Sequence, residues 1–243
     1  MLASGSTPFE AVYRNYVALT EVASLADDSG LGGKLILAGA LESASGMALV
    51  AAANIAGAAS LVASSDAQAL RQALRDGVVD FLVNSLEEAL RILKNEVRKR
   101  QAVSVAAAVS REHLIEEMTR RGVLPDLLPP DGVDTGEQRN LEAFVRAGAK
   151  RLRMDGAEQQ PYVTWSVDQA ATRWLPQLDG CARAVIPAED GARHRWLRLA
   201  PRYLGRQAQR QHGVGLNAAE RGAFEARVSQ LMTAAELGSA SLG

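Results

Sequence analysis

The pattern of apolar and polar positions changes period along the chain. Val12, Tyr16, Leu19 and Val22 recur at the spacing of one helix face, which predicts an amphipathic first helix. Thr7-Pro8-Phe9-Glu10 opens it as a capping box: the Thr7 hydroxyl accepts from the Glu10 amide, and proline sits where no N–H is needed. Asp27 to Gly33 is a polar, glycine-rich turn. From Lys34 onward, short apolar runs alternate with amphipathic stretches. Leu35-Ile36-Leu37, Ser60-Leu61-Val62, Val78 to Val83 and Val103-Ser104-Val105 read as strands. Gly46 to Gly57, Asp66 to Arg75, the stretch opened by the Ser85-x-x-Glu88 box, and Ser110 to Arg121 read as helices, the last closed by Gly122. Strands separated by helices in this rhythm form βαβ units, which predicts a parallel sheet with right-handed crossovers.

The predicted fold class is therefore α/β: a Rossmann-like parallel sheet with helices on both faces, plus a mainly helical C-terminal part. Pro125 to Gly136 is the richest turn segment, and one more helix-strand unit follows at Glu137 to Ala147 and Lys150 to Met154. Asp155 to Pro161 is polar and reads as a linker. Beyond it lie all three tryptophans, and Ser166-x-x-Gln169 and Asn217-x-x-Glu220 are helix starts. Three segments are expected: an N-terminal helix and turn over residues 1–33, the Rossmann-like domain over 34–155, and a mainly helical part over 161–243.

Composition narrows the function classes. The 243 residues carry 27 Lys plus Arg against 28 Asp plus Glu, a net charge of −1, which argues against a dominant electrostatic footprint for nucleic acid or anionic membrane. A single cysteine, Cys181, excludes an intramolecular disulfide framework and any Cys-based zinc site, and the histidines (His113, His194, His212) are scattered. No metal is expected. Ser43 to Ser65 is uncharged and long enough to span a bilayer, yet Ala, Ser and Gly around Asn54 make it far less apolar than a real span. The N-terminus lacks a basic start followed by an apolar stretch, so a cytoplasmic location is expected.

The first strand-to-helix turn is where a dinucleotide fold seats a pyrophosphate against free helix amides. Here it reads Gly39-Ala-Leu-Glu42-Ser-Ala-Ser45-Gly46. The middle glycine of G-x-G-x-x-G is missing, and Glu42 brings a negative charge. Gly39 ends the strand and Gly46 eases helix packing on one reading, or both contact phosphate on the other. Asp66 is the acid after the second strand, a ribose ligand or simply a helix N-cap. Six arginines (Arg193, Arg195, Arg198, Arg202, Arg206, Arg210) and no acid lie between Gly191 and Ala219, and four of them repeat at i+4 around Pro201. They form a solvated helix face or contact the acidic remainder of the chain, or, in the sharper reading, meet an acidic or nucleic-acid partner. His194, beside Trp196, becomes a general base only if a cleft forms there; Cys181 reads as a small buried apolar residue.

Several segments resemble urocanase (urocanate hydratase). Ala102-Val-Ser-Val-Ala, followed by Leu114-Ile-Glu-Glu-Met-Thr-Arg-Arg-Gly122-Val-Leu-Pro125-Asp126, is similar to a strand-helix-strand of that family's NAD-binding domain. Gly33-Lys34-Leu-Ile-Leu-Ala38-Gly39, Ala56-Gly57-Ala58, Ser85-Leu-Glu-Glu-Ala-Leu90 and Pro187 to Ala200 agree as well, so the resemblance runs with gaps from Thr7 to Leu237. It implies NAD+ acting as an electrophile toward the imidazole of urocanate before water adds, and a Rossmann-like domain inserted in a core domain. Gly39, Gly46, Asp66 and Ser110 are the cofactor-binding positions it suggests.

The chain departs from that pattern at defined places. The ribose-binding glutamate falls at Ser64, the Gly-Asn pair opening the later helix is Val109-Ser110, and Pro129-Pro130-Asp131-Gly132 replaces a polar stretch. Gly215-Leu216-Asn217 stands where the family has Gly-Glu-Arg, removing a cation that could hold the substrate carboxylate. The expectation is a divergent urocanase-like protein with weak or lost NAD binding and no independent hydratase activity. It would act in ligand binding or protein association, as a homo-oligomer or with a complementing urocanase-like chain. The alternative is a urocanate hydratase-type carbon-oxygen lyase of histidine degradation.

Overall fold

The computed structural model describes residues 8–22, 30–130, 135–159 and 161–240. The capping residue Thr7 and the Asp131-Gly132 pair lie outside these. Six parallel strands form the sheet: β1 (Leu35–Ala40), β2 (Ala59–Ala63), β3 (Phe81–Val83), β4 (Val103–Ala107), β5 (Leu127–Leu128) and β6 (Lys150–Arg151), in the order β3-β4-β2-β1-β5-β6. Helices α2 (Ala44–Ala56), α3 (Ala67–Arg75), α4 (Leu86–Lys99), α5 (Arg111–Arg120) and α6 (Thr135–Arg146) make the crossovers.

Period-two alternation in the strands builds the two cores. Ile36, Ala38 and Val62 face one cluster with α2 and α3, whereas Leu35, Leu37, Leu61, Val103 and Val105 face the other with α4, α5 and α6. Helix α2 is buried at every position from Ala48 to Ala56. It has a helix packed outside it: α1 (Pro8–Val22) lies against α2 and buries Val12, Tyr13, Tyr16 and Leu19. That second layer explains why the segment around Asn54 carries no charge without crossing a membrane. No described helix is long and apolar enough to do so.

Three elements differ from the sequence-based expectation. Leu127–Leu128 is a strand inside the turn-rich segment, because Asp126 anchors it: its side chain accepts from the Leu35 amide at 2.9 Å and from Lys34 Nζ at 2.8 Å. Asp155 to Gln159 of the polar linker form a short helix, α7, tied to α1 by Arg14 Nη1 donating to the Ala157 carbonyl at 2.7 Å. The C-terminal part adds an antiparallel pair, β7 (Tyr162–Ser166) and β8 (Gln211–Gly215), to its helices α8 (Leu175–Arg183), α9 (Gly191–Tyr203) and α10 (Ala218–Ala240). Its partners are 53 positions apart at Tyr162↔Gly215 and 45 apart at Ser166↔Gln211, and local periodicity carries no information on so distant a pairing.

The C-terminal part is packed onto the sheet domain through α2. Arg195 of α9 donates from Nε to the Ile55 carbonyl at 2.9 Å, at the last turn of α2. Trp196, 1% exposed, fills the seam, edge-on to Tyr13 at 4.9 Å between ring centres and tilted against Tyr16 at 5.3 Å. Its indole N–H donates to the Gly213 carbonyl at 2.7 Å, so the polar atom of this buried ring is satisfied.

Candidate functional site

The carboxyl ends of β1, β2 and β4 are neighbours in the sheet, and the helices that follow them all begin there. This brings Gly39, Gly46, Asp66 and Ser110 to one edge. Gly39 has φ +92, a conformation glycine adopts without strain. At Gly46 a Cβ would overlap the Ala40 carbonyl oxygen, so this glycine lets α2 sit directly on the end of β1. Ser43 caps α2 by accepting from the Gly46 amide at 2.9 Å. Asp66 caps α3, accepting from the Gln68 and Ala69 amides at 2.7 and 3.2 Å. Ser110 caps α5 through the His113 amide at 3.2 Å.

Two charged side chains complete this edge. Glu42 accepts a hydrogen bond from the Ser64 hydroxyl, which links the turn after β1 to the end of β2. Arg111, at the start of α5, brings its guanidinium over Gly39: a Cβ there would lie 3.6 Å from the Arg111 Cζ. The residues present do not fit a pyrophosphate. A carboxylate stands in the turn, Ala40 and buried Leu41 take the place of a second glycine, and Asp66 is engaged by its own helix.

A second site lies elsewhere. A cleft of about 600 Å³ opens between α1, the starts of α9 and α10, and the end of β8, with no lining residue from 30–130. Arg193 is its organising group. The guanidinium donates to Glu220 at 2.6 and 2.9 Å, to Asp190 at 2.6 Å and to the Gly215 carbonyl at 3.0 Å. Asp190 also caps α9 through the Arg193 amide at 2.9 Å. Asn217 and Glu220 form the reciprocal box that opens α10, with both bonds at 2.9 Å. The Arg193 hydrogen bond holds the Glu220 carboxyl below the usual carboxylate range, against the opposing effect of burial. Tyr13 lines the same cleft; burial pushes its hydroxyl well above the usual phenol range.

The other sequence candidates fall into structural places. The arginines do not make one face, because α9 ends at Tyr203; Arg193 and Arg195 turn inward, and Arg210 donates to Gln169 Oε1 at 2.8 Å. His194 holds the Pro187 carbonyl at 3.0 Å rather than lining the cleft. His212 bridges Asp179, at 2.8 Å from Nδ1, and the Ala208 carbonyl, at 2.7 Å from Nε2. Cys181 is half-buried against the core rather than fully buried. Among the described residues no cluster of His, Cys, Asp or Glu could hold a metal. Tyr13 escaped sequence reasoning and Arg193 was read only as one of six arginines, although each had a local signal: Tyr13 lies three residues before Tyr16, and Arg193 lies three after a capping Asp190.

The family assignment rests on the sheet domain. Residues 12–132 match the family model of the urocanase Rossmann-like domain, a stretch that takes in α1 from Val12 onward and the strands β1 to β5. The chain belongs to the urocanase family, as a divergent member whose recognisable part is this Rossmann-like domain.

Proposed function

We propose that this protein keeps the urocanase-family scaffold but works by binding a small ligand, with NAD+ binding weak or lost and no independent hydratase activity. The observation that carries this reading is Glu42, fixed by Ser64 in the turn where a pyrophosphate would lie. Like charges about 4 Å apart repel by roughly 1 kcal/mol in water and 4 kcal/mol near a protein surface. A helix N-terminus returns about 1 kcal/mol and the Arg111 guanidinium over Gly39 offsets part of the rest, so Glu42 together with the missing glycine weakens the binding of a diphosphate here. Asn217, in the position of the family's arginine, supplies no charge for a substrate carboxylate.

Calorimetric titration with NAD+ and the ultraviolet absorbance of urocanate test it. No saturable heat and no substrate loss above a no-protein control are expected. Purified protein already carrying the dinucleotide, or steady consumption of urocanate, would overturn it.

Association of two copies is a second reading, favoured by the edge strand β3, where Phe81 and Leu82 are 46% and 37% exposed. An exposed apolar edge is a template for strand pairing. Light scattering checks it: a dimer that Leu82→Lys converts to monomer is expected, and a monomer at all concentrations removes it.

A further inference from the structure

We propose that His212 is a pH-sensitive latch: doubly protonated, it pins the turn between α9 and β8, and on losing one proton it releases that turn. This goes beyond the ligand-binding reading and does not depend on it. Both ring nitrogens face acceptors. Nδ1 lies 2.8 and 2.9 Å from the two carboxylate oxygens of Asp179, and Nε2 lies 2.7 Å from the Ala208 carbonyl oxygen. A backbone carbonyl only accepts, and the Asp179 carboxylate accepts from the Trp165 indole N–H as well, at 3.0 Å. Each ring nitrogen therefore donates, which takes two protons, whereas a neutral imidazole carries one. Turning the ring over puts carbons at both positions and forfeits both bonds.

The two contacts respond differently to the loss of a proton. A bond from N–H to a carboxylate is roughly twice as strong as one to a neutral acceptor, so the remaining proton stays on Nδ1. Nε2 then turns a bare lone pair toward the Ala208 oxygen, and an attraction becomes a repulsion. Ala208 sits in the short 3-10 turn Gly205–Gln209, the link from α9 to β8, and is 4% exposed. Its burial shows the turn closed while the latch is made. The His212 and Asp179 side chains are 12% and 8% exposed, which leaves little room for water to replace either contact.

Among the described residues, Asp179 is the one charged group bonded to the ring. On α8, Arg183 lies one turn beyond Asp179 and donates to the Leu197 carbonyl at 3.4 Å. Arg210, two positions before His212, is engaged by Gln169. From β7 come Trp165, directly opposite His212, and the Tyr162 hydroxyl, which burial pushes above the usual phenol range and so keeps neutral. The α9 and α1 residues beside the ring, Trp196, Leu197 and Phe9 among them, are apolar. Protonation of His212 itself is thus what sets the latch.

Nitrogen-15 NMR of the whole protein tests this. The chain has three histidines, so His113→Gln and His194→Gln assign the His212 signals by elimination and leave the latch intact. Protons on both His212 nitrogens are expected at about pH 6, and on Nδ1 alone at about pH 9. Amide exchange protection over Gly205–Gln209 is expected to fall about fivefold between the two, while that of β1 holds. In His212→Gln the fall disappears. A singly protonated ring at the lower pH, or a neutral ring with its proton on Nε2 at the higher, overturns the proposal. So does unchanged protection of the turn, or an equal fall in β1.

Discussion

The carbonyl oxygen of Ala40 stands where a side chain at Gly46 would begin. Helix α2, on which both α1 and α9 pack, is thereby seated on the end of β1. Gly46→Ala forces backbone apart at that contact and is expected to cost about 3 kcal/mol. Gly180→Ala is the control: it lies within α8 with open space around it, so a gain of up to about 1 kcal/mol is expected. Urea midpoints of the two variants measure both.

Asp179 is buried and joins two rings. It accepts from the Trp165 indole at 3.0 Å and meets His212 Nδ1 at 2.8 Å. Asp179→Ala leaves both groups without this partner, and a loss of about 3 kcal/mol is expected from the stranded polar atoms. Asp179→Asn retains an acceptor for one of them and should lose less. Thermal unfolding of the pair orders the two effects.

Acid should weaken the clamp at Arg193. The Glu220 carboxyl is held below its usual range by its hydrogen bond to Arg193, so the unfolded chain binds its proton at higher pH than the folded one does. The stabilisation is complete above the ordinary carboxylate pKa, about 4.3, and disappears as pH falls through the depressed folded value. Glu220→Gln should lose about 2 kcal/mol at neutral pH and show a flatter acid limb. Denaturant midpoints between about pH 7 and pH 2 check this linkage.

Alkali acts on the opposite side of the scale. Burial raises both the Tyr13 and Tyr162 hydroxyls; Asp190 and Glu220 push Tyr13 up further, against the lowering effect of the Gly215 backbone and Arg193, and Tyr13 and Glu10 push Tyr162 up further. Their folded values exceed the unfolded value near 10, so their contribution is intact below that pH and declines as pH rises beyond it. Absorbance titration should find at least two of the four tyrosines resistant to ionisation until the chain unfolds.

Arg100 closes α4 with φ +58, a left-handed conformation that a Cβ disfavours. Arg100→Gly is expected to stabilise the protein by about 1 kcal/mol, read as a rise in melting temperature.

The capping chemistry shows how far local information reaches. The Ser85 and Asn217 boxes form, although Glu88 bonds the Asn84 amide rather than that of Ser85. Gly122 ends α5 with φ +65, as its position after Arg121 predicts. The strand Leu127–Leu128 escaped because two residues cannot display a period, and its anchor, the Asp126 bond to Leu35, spans 91 positions. At the candidate site, the missing second glycine and the intruding Glu42 were legible in the turn itself. The Arg111 guanidinium over Gly39 was not, since it arrives from another βαβ unit.

By itself, the sequence determined the alternating strands and helices, the parallel sheet, the caps and the altered phosphate turn, because periodicity and capping depend on residues a few positions apart. Only the tertiary structure decided that α1 and α9 share the outer surface of α2, that β7 pairs with β8, and that Tyr13, Arg193 and Glu220 meet in one cleft. Those residues come from segments far apart in the chain, and burial of their apolar neighbours, which no local pattern encodes, is what brings them together.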